Sequence, residues 1–131
     1  MLERDHPLLH KARESLAGAQ LEFANGWYNN CANRCYYACF QAAIAALQRA
    51  GIRPRGDQWS HAFVSAQFEG QLIHRRKHYS TALRSVLERT HALRRKADYD
   101  EDAVTRTEAE RSLHRARAFV SAIQSGGGEP R

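Results

Sequence analysis

The chain of 131 residues is long enough for one domain that buries about two-thirds of its unfolded surface. Apolar residues make up 43% of it, and no apolar run approaches the ~18 residues of a membrane-spanning helix, so we expect no membrane partner. The net charge of +6 permits an anionic partner without demanding one, because solvated helix faces are often rich in arginine.

The N-terminus and the cysteines favour a cytoplasmic protein. MLERDHPLLH lacks the charged-then-apolar layout of a secretory signal. The three cysteines are an odd number and all lie between residues 31 and 39, which argues against a disulfide framework.

Apolar residues recur at steps of three and four, a spacing that predicts helices. We expect them over about residues 7–25, 28–50, 60–72, 77–97 and 105–124. Helix starts are indicated at Asp5 or His6, at Ser60, and at a capping box from Thr105 to Glu108, while Asn25-Gly26 predicts a left-handed turn.

No segment shows the sustained alternation of a strand. The sequence therefore predicts an all-α, up-and-down bundle of four long helices plus one short helix. We assign residues 1–124 to this single domain and residues 125–131 to a flexible tail.

Residues 30–47 contain no Gly or Pro and form the expected central helix. Its small side chains share one stripe, which would let other helices approach closely. Gly18 in the first helix is likewise expected to mark a close helix contact. The residues expected to be largely buried are Cys31, Cys35, Cys39, Leu16, Phe23, Leu83, Val86, Leu113 and Val120.

A second stripe of the central helix is polar and aromatic, which makes it the best candidate for a nucleotide- or RNA-binding site. Arg34 in this stripe would be costly to bury without a partner. It is held either by a carboxylate within the fold or by a partner subunit or anionic ligand, and the sequence leaves both open. The stripe consists of Asn30, Arg34, Tyr37 and Gln41.

We expect no bound metal and no cofactor. The cysteines lie four apart, but a structural zinc takes four ligands, and a buried core position suits a free cysteine. Two histidine pairs at the same spacing have no carboxylate placed as a third ligand, which favours solvated surface. These pairs are His6 with His10 and His74 with His78.

The basic clusters Arg75–Lys77 and Arg94–Lys96 could grip phosphates. No aromatic ladder accompanies them, as it does in proteins that bind single-stranded nucleic acids, so a solvated surface is the simpler interpretation.

The residues NRCYYACFQAAIAAL resemble the second-helix signature of the HEPN domain family, in its small stand-alone branch. Members read approximately Arg-Ala-Tyr-Tyr-Ala-x-Phe-His. ARESLAGAQLEFANGWY is similar to the first helix and turn of the family, Ser60-His61 to the start of its third helix, and RRKADY to its Arg-x-x-Ala-Asp-Tyr. The resemblance extends from about Lys11 to Val120.

The resemblance implies a helical bundle that is commonly a homodimer, here with the Arg34 side of the central helix near the interface. Many HEPN proteins are metal-independent ribonucleases that act as toxins or defence effectors beside a neutralising nucleotidyltransferase. Their site pairs an Arg with a His, and four to six residues separate the two in the sequence. On this chain the Arg is Arg34, and the position of the His holds Gln41.

A glutamine amide cannot exchange a proton near neutral pH as an imidazole can. The first hypothesis is therefore a toxin–antitoxin or defence-type HEPN protein that binds a nucleotide, RNA or a nucleotidyltransferase with little ribonuclease activity. A second is an active endoribonuclease toxin that uses Arg34 with another base, for which His61 is the candidate, since Tyr37 is a poor base. A third is a structural dimerisation module.

Overall fold

The computed structural model describes residues 6–126, and all regular structure in that range is helical, which confirms the all-α prediction. No helix within these residues is both long enough and apolar enough to span a bilayer. The α-helices are α1 Pro7–Ala24, α2 Tyr28–Arg49, α3 His61–Gln67, α4 Val86–Tyr99 and α5 Arg106–Gln124. A π-helical segment follows α3 at Phe68–Arg75, and a 3-10 turn lies at Thr81–Leu83.

The helix starts read from the sequence are confirmed by side-chain caps. The His6 Nδ1 accepts the backbone N–H of Leu8, 3.1 Å away, and the Ser60 hydroxyl accepts that of Phe63 at 3.1 Å. Such caps satisfy donors that have no partner within the helix. Gly26 has a φ of 79°, so the left-handed turn expected after α1 is also present.

Helix α2 lies at the centre of the bundle and packs against α1, α4 and α5. Its small side chains are fully buried, including Cys31, Cys35 and Cys39, each with 0% exposure. Cysteine and alanine leave room for neighbouring backbones to approach, which explains why one helix can touch three others. The predicted burial of the cysteines is confirmed.

The fourth helix begins later than we expected: the prediction of a helix over residues 77–97 is wrong before Val86. Lys77 and Ser85 have positive φ values of 54° and 70°, a conformation that an α-helix cannot contain. The backbone N–H of Ser85 instead donates to the carboxylate of Glu69 at 2.9 Å. The third helical stretch, expected over 60–72, is α-helical only through Gln67 and continues in π-helical form.

Two expectations for α1 also fail. Leu16 and Phe23 are only partly buried, since the most buried side of α1 carries Leu9, Ala12 and Ala19. A Cβ added at Gly18 would meet nothing within 4 Å, so this glycine marks no close contact. The other expected core residues, Leu83, Val86, Leu113 and Val120, are buried as predicted. The expected tail lies outside the described residues from residue 127 onward.

Replacing Leu113 by alanine should lower the free energy of unfolding by about 2–5 kcal/mol, because this side chain is 4% exposed and its loss leaves a cavity. Leu21→Ala on the 65% exposed surface of α1 is the matched control and should change it by less than about 0.5 kcal/mol. Urea denaturation of the two variants measures the difference, and equal effects would contradict the assigned core.

The start of α5 should make stability depend on pH. The Thr105 N–H donates to Glu108 Oε1 at 3.0 Å, and the Lys96 Nζ lies at 3.0 Å from the same oxygen. The Thr105 hydrogen bond, followed by the Lys96 contact, lowers the pKa of the Glu108 carboxyl below 4.5. The folded protein therefore gains stability above about pH 4.5 and loses it as the pH falls through the lowered value.

Glu108→Gln should accordingly show a smaller loss of unfolding free energy between about pH 7 and pH 3 than the unmodified protein. Glu110→Gln removes the same charge from an exposed position on α5 and serves as the control. Denaturant titrations at both pH values test this. If both variants lose the same unfolding free energy between the two pH values, the contacts of Glu108 do not cause the pH dependence.

Candidate functional site

The outward side of α2 carries the polar stripe singled out in the sequence. Asn30 and Arg34 are exposed there. Among residues 6–126, Arg34 has neither a hydrogen bond nor an ion pair, so no carboxylate of the described chain holds it. The other alternative that the sequence left open for Arg34, a partner subunit or an anionic ligand, stays a prediction.

The Gln41 side chain is half-buried and contacts α1. Its amide lies 2.9 Å from the Ser15 hydroxyl and near the carbonyl oxygens of Tyr37 and Lys11, at 3.1 and 3.2 Å. Because carbonyl oxygens only accept, the amide nitrogen is the atom that satisfies them. The side chain is thus engaged in joining α2 to α1.

Tyr37 connects the α2 stripe to α4 through a cationic side chain. The guanidinium of Arg94 lies 5.4 Å from the centroid of the Tyr37 ring and 5.7 Å from that of Tyr36. Asp98 holds Arg94 with an Nε–Oδ2 distance of 3.2 Å, and Asn33 of α2 reaches the same carboxylate at 3.4 Å. A cation over an aromatic face is attracted by its quadrupole, so this arrangement fixes α4 against α2.

His61, the first residue of α3, forms the centre of a polar network with α2 and α4. Its Nδ1 lies 3.0 Å from the hydroxyl of Tyr36, and its Nε2 lies 3.1 Å from Oε2 of Glu88. The Ser65 hydroxyl donates to that same carboxylate oxygen at 2.8 Å. Both ring nitrogens of His61 are therefore held by protein groups.

A second imidazole completes the network. The ring of His91 stacks on that of His61 with 3.8 Å between centroids and 16° between planes. Tyr36 lies against it at 5.1 Å. We call His61, Glu88 and His91 the imidazole cluster, since their ligating atoms all lie within 4.8 Å of one another.

Electrostatics favour a neutral imidazole at His91 and a charged carboxylate at Glu88. Burial, followed by repulsion from His61, lowers the pKa of His91. The hydrogen bond from Ser65 lowers the pKa of Glu88 more than any other contact. Burial raises the pKa of the Tyr36 phenol, so this hydroxyl stays protonated at neutral pH.

Sequence reasoning named His61 but missed its partners. Glu88 and His91 are three residues apart, and this spacing in the sequence is enough to predict that they share one face of a helix. Their meeting with His61 depends on how α3 packs on α4, and no spacing along the chain encodes that.

A basic groove lies between α4 and α5. Three guanidiniums line it, from Arg89, Arg111 and Arg115, and its volume is about 400 Å³. Burial, followed by repulsion from the other two, lowers the pKa of Arg115. None of the three is paired with a carboxylate within residues 6–126, and Glu108 at the edge of the groove is held by Lys96. We call these three residues the arginine groove.

The arginine groove was not anticipated from the sequence. Arg111 and Arg115 are four residues apart, which places them on one face of a helix, but that spacing is common on solvated helices. The approach of Arg89 from α4 is a consequence of tertiary packing. Of the two basic clusters noted in the sequence, residues 75–77 are exposed and do not line the groove, while Arg94 is held by Asp98.

Comparison with known proteins shows the family. The sequence profile of the HEPN domain matches residues 6–126. The chain belongs to the HEPN domain family. A protein of Methanocaldococcus jannaschii that is named as a candidate toxin, MJ0605, is 31% identical over 122 residues, which span 93% of this chain and 87% of that protein. The resemblance stated from the sequence is confirmed.

Within the HEPN bundle, the residues singled out by the resemblance occupy different surroundings. Arg34 is exposed, Gln41 is bound to α1, and His61 is bound to Tyr36 and Glu88. The roles predicted for these residues, for Asn30 and for Tyr37 remain predictions, as does the homodimer.

Proposed function

We propose that this HEPN protein is the toxin-type component of a toxin–antitoxin or defence-type system and acts by binding RNA. The name of the M. jannaschii relative supports the toxin assignment, since the alignment covers nearly the whole of both chains. A nucleotidyltransferase is the antitoxin partner that we propose, on the basis of the family resemblance alone.

The arginine groove carries the RNA-binding part of the proposal. The three guanidiniums repel one another, and after burial this repulsion by Arg89 and Arg111 lowers the pKa of Arg115. The carboxylate of Glu108 also lines the groove, but it is paired with Lys96 and not with any of the three arginines. A phosphate backbone offers regularly spaced negative charge, and arginine binds phosphate oxygens through a planar fork of donors. RNA bound in the groove would relieve the repulsion and release counterions.

Exposed Arg34 on α2 supplies a further cation for the same polyanion. It lacks an acidic partner among the described residues, and Asn30 lies one turn away with an amide that can bind phosphate or a hydroxyl. We propose that this stripe contacts nucleotide or RNA, with Tyr37 as an aromatic neighbour.

Cleavage without metal should be weak because the acid–base group is missing where the family pattern places it. Gln41 cannot accept a proton from the 2′-hydroxyl, and its amide is engaged by Ser15. His61 is not free to replace it, since both of its nitrogens have partners and one of them is the buried Tyr36. The geometry therefore favours binding over metal-independent cleavage.

Replacing all three arginines of the groove by glutamine should weaken RNA binding and lower its dependence on salt. For single strands, each lost phosphate contact should reduce the slope of log K against log salt by about 0.7. Fluorescence anisotropy with a labelled single-stranded RNA, repeated over a series of salt concentrations, measures both quantities.

The control for this experiment removes the same net charge elsewhere. Arg53, Arg55 and Arg75 are exposed and lie outside the groove, and changing them to glutamine should leave the affinity much closer to that of the unmodified protein. An equal loss in both triple variants would show that net charge, and not the groove, determines binding. Absence of RNA binding at low salt would refute the proposal itself.

The native protein should cleave RNA slowly in the presence of a chelator, and Gln41→His should cleave it faster. General acid–base help is worth about 100- to 10,000-fold in rate, which sets the largest gain to expect. Gel assays on one RNA, with Arg34→Ala introduced into both proteins, measure this. Gln41→Asn is the control, since it alters the contact with Ser15 without adding an imidazole.

Rapid cleavage by the native protein in chelator, abolished by Arg34→Ala, would mean that another base performs the chemistry. The second hypothesis from the sequence would then hold, and His61→Gln should abolish the activity.

A further inference from the structure

The imidazole cluster is not used by the proposed function, although it gathers three groups that bind metal ions. His61 comes from the first turn of α3, and Glu88 and His91 come from adjacent positions on one face of α4. Two imidazoles and one carboxylate form the donor set of many sites for divalent transition metals, with further positions left for water or substrate. We propose that the imidazole cluster binds one divalent transition-metal ion of the Zn²⁺ class.

The distances leave room for an ion after a small contraction. Ligand atoms on one zinc ion lie about 2.0–2.2 Å from the metal, so that any two are no more than ~4.4 Å apart. The three candidate ligand atoms already lie within 4.8 Å of one another, and the His61 Nε2 and Glu88 Oε2 are 3.1 Å apart. An ion between these two atoms replaces the proton that the contact shares.

Outer partners are in place for two of the ligands. Metal-binding histidines usually donate their second ring N–H to a neighbouring group, which fixes the tautomer and the ring orientation. The Tyr36 hydroxyl lies 3.0 Å from Nδ1 of His61 and suits that role, since Nδ1 carries the proton once the ion occupies Nε2. The Ser65 hydroxyl orients Glu88 in the same way, at 2.8 Å. An isolated pair of surface histidines has no such support.

The parallel stack of His61 and His91 must open before both rings can bind one ion. Two stacked rings cannot direct their lone pairs at one point, so binding requires one ring to turn about its Cβ–Cγ bond. The surroundings permit this, because the side chain of Glu88 is 58% exposed and that side of the cluster is open to solvent. The same opening gives an ion its entry path and a water its coordination position.

The charge of the ligands favours a cation, and two neighbouring arginines oppose it. Imidazoles ligate a metal in their neutral form, so a ligand set of two imidazoles and one carboxylate contributes one negative charge. One of the two arginines, Arg94 of α4, stacks against Tyr36, and its charge is paired with that of Asp98. Arg95 also acts on His91 electrostatically, which weakens the site without occupying it.

The thiols of α2 are the competing ligands for a soft ion. Cys31 and Cys35 lie 4.0 Å apart, but both are fully buried. A cobalt ion bound there would show thiolate-to-metal charge-transfer absorption, which a site of imidazoles and carboxylate lacks. The experiment must therefore distinguish thiolate ligands from imidazole and carboxylate ligands, in addition to measuring the affinity for the ion.

Chelator-treated full-length protein, free of RNA, should be titrated with Co²⁺ and followed by visible and ultraviolet absorption, then titrated with Zn²⁺ by calorimetry. We expect one ion per chain without thiolate charge transfer. His91→Phe should abolish binding, since phenylalanine keeps a ring against His61 and Tyr36 but offers no lone pair. Tyr36→Phe keeps every ligand and should lower the affinity by about 10- to 100-fold.

His10→Phe is the matched control, because His10 has an exposed carboxylate neighbour, Glu14, at 3.8 Å but no third ligand within residues 6–126. It should bind the ion as the unmodified protein does. Circular dichroism checks that each variant is folded. If the His91→Phe variant is unfolded, nuclear magnetic resonance of the unmodified protein tests the site instead. Zinc should then shift the ring signals of His61 and His91 and leave those of His10 unchanged.

No saturable binding at neutral pH would overturn the proposal, and so would thiolate charge transfer or binding that survives His91→Phe. None of these results bears on RNA binding by the arginine groove, so the metal-binding proposal can be refuted while the RNA-binding proposal stands.

Discussion

Close packing around helix α2 is the constraint on which the rest of the structure depends. Small side chains let α1, α4 and α5 all touch this one helix, and its fully buried cysteines and alanines leave no space for larger residues. Once α2 is surrounded, its polar residues can appear only along the remaining open side. The location of Arg34 on the surface and of Tyr36 beneath α3 and α4 follows from that single requirement.

The charged groups of the bundle fall into two sets: those paired with another group of the fold, and those without an oppositely charged partner among the described residues. Glu108, Asp98 and Glu88 each hold a cation or an imidazole nearby. The arginine groove and Arg34 have no such partner among the described residues. A cation that lacks an internal carboxylate is available to an external anion, and this contrast is the physical basis for the proposal that the groove binds RNA.

The imidazole cluster depends on the irregular chain between α3 and α4. The π-helical segment and the two residues with positive φ turn the chain back, so that α4 begins only at Val86 and presents its first turns to His61. A continuous helix over residues 77–97 would have placed Glu88 and His91 in a different register. The failure of that helix prediction and the unforeseen cluster thus have one cause.

The sequence by itself determined the helical class, the family, the caps of α1, α3 and α5, and the burial of the cysteines. These depend on local spacing and on hydrogen bonds between near neighbours, which a linear pattern records. Tertiary structure alone decided that Gln41 binds α1, that Arg89 joins two arginines of α5, and that His61 meets α4. Each is a contact between residues far apart in the chain and is fixed by the packing of the helices. The two contacts that involve α4 also depend on the backbone turn at Ser85, which no periodicity reveals.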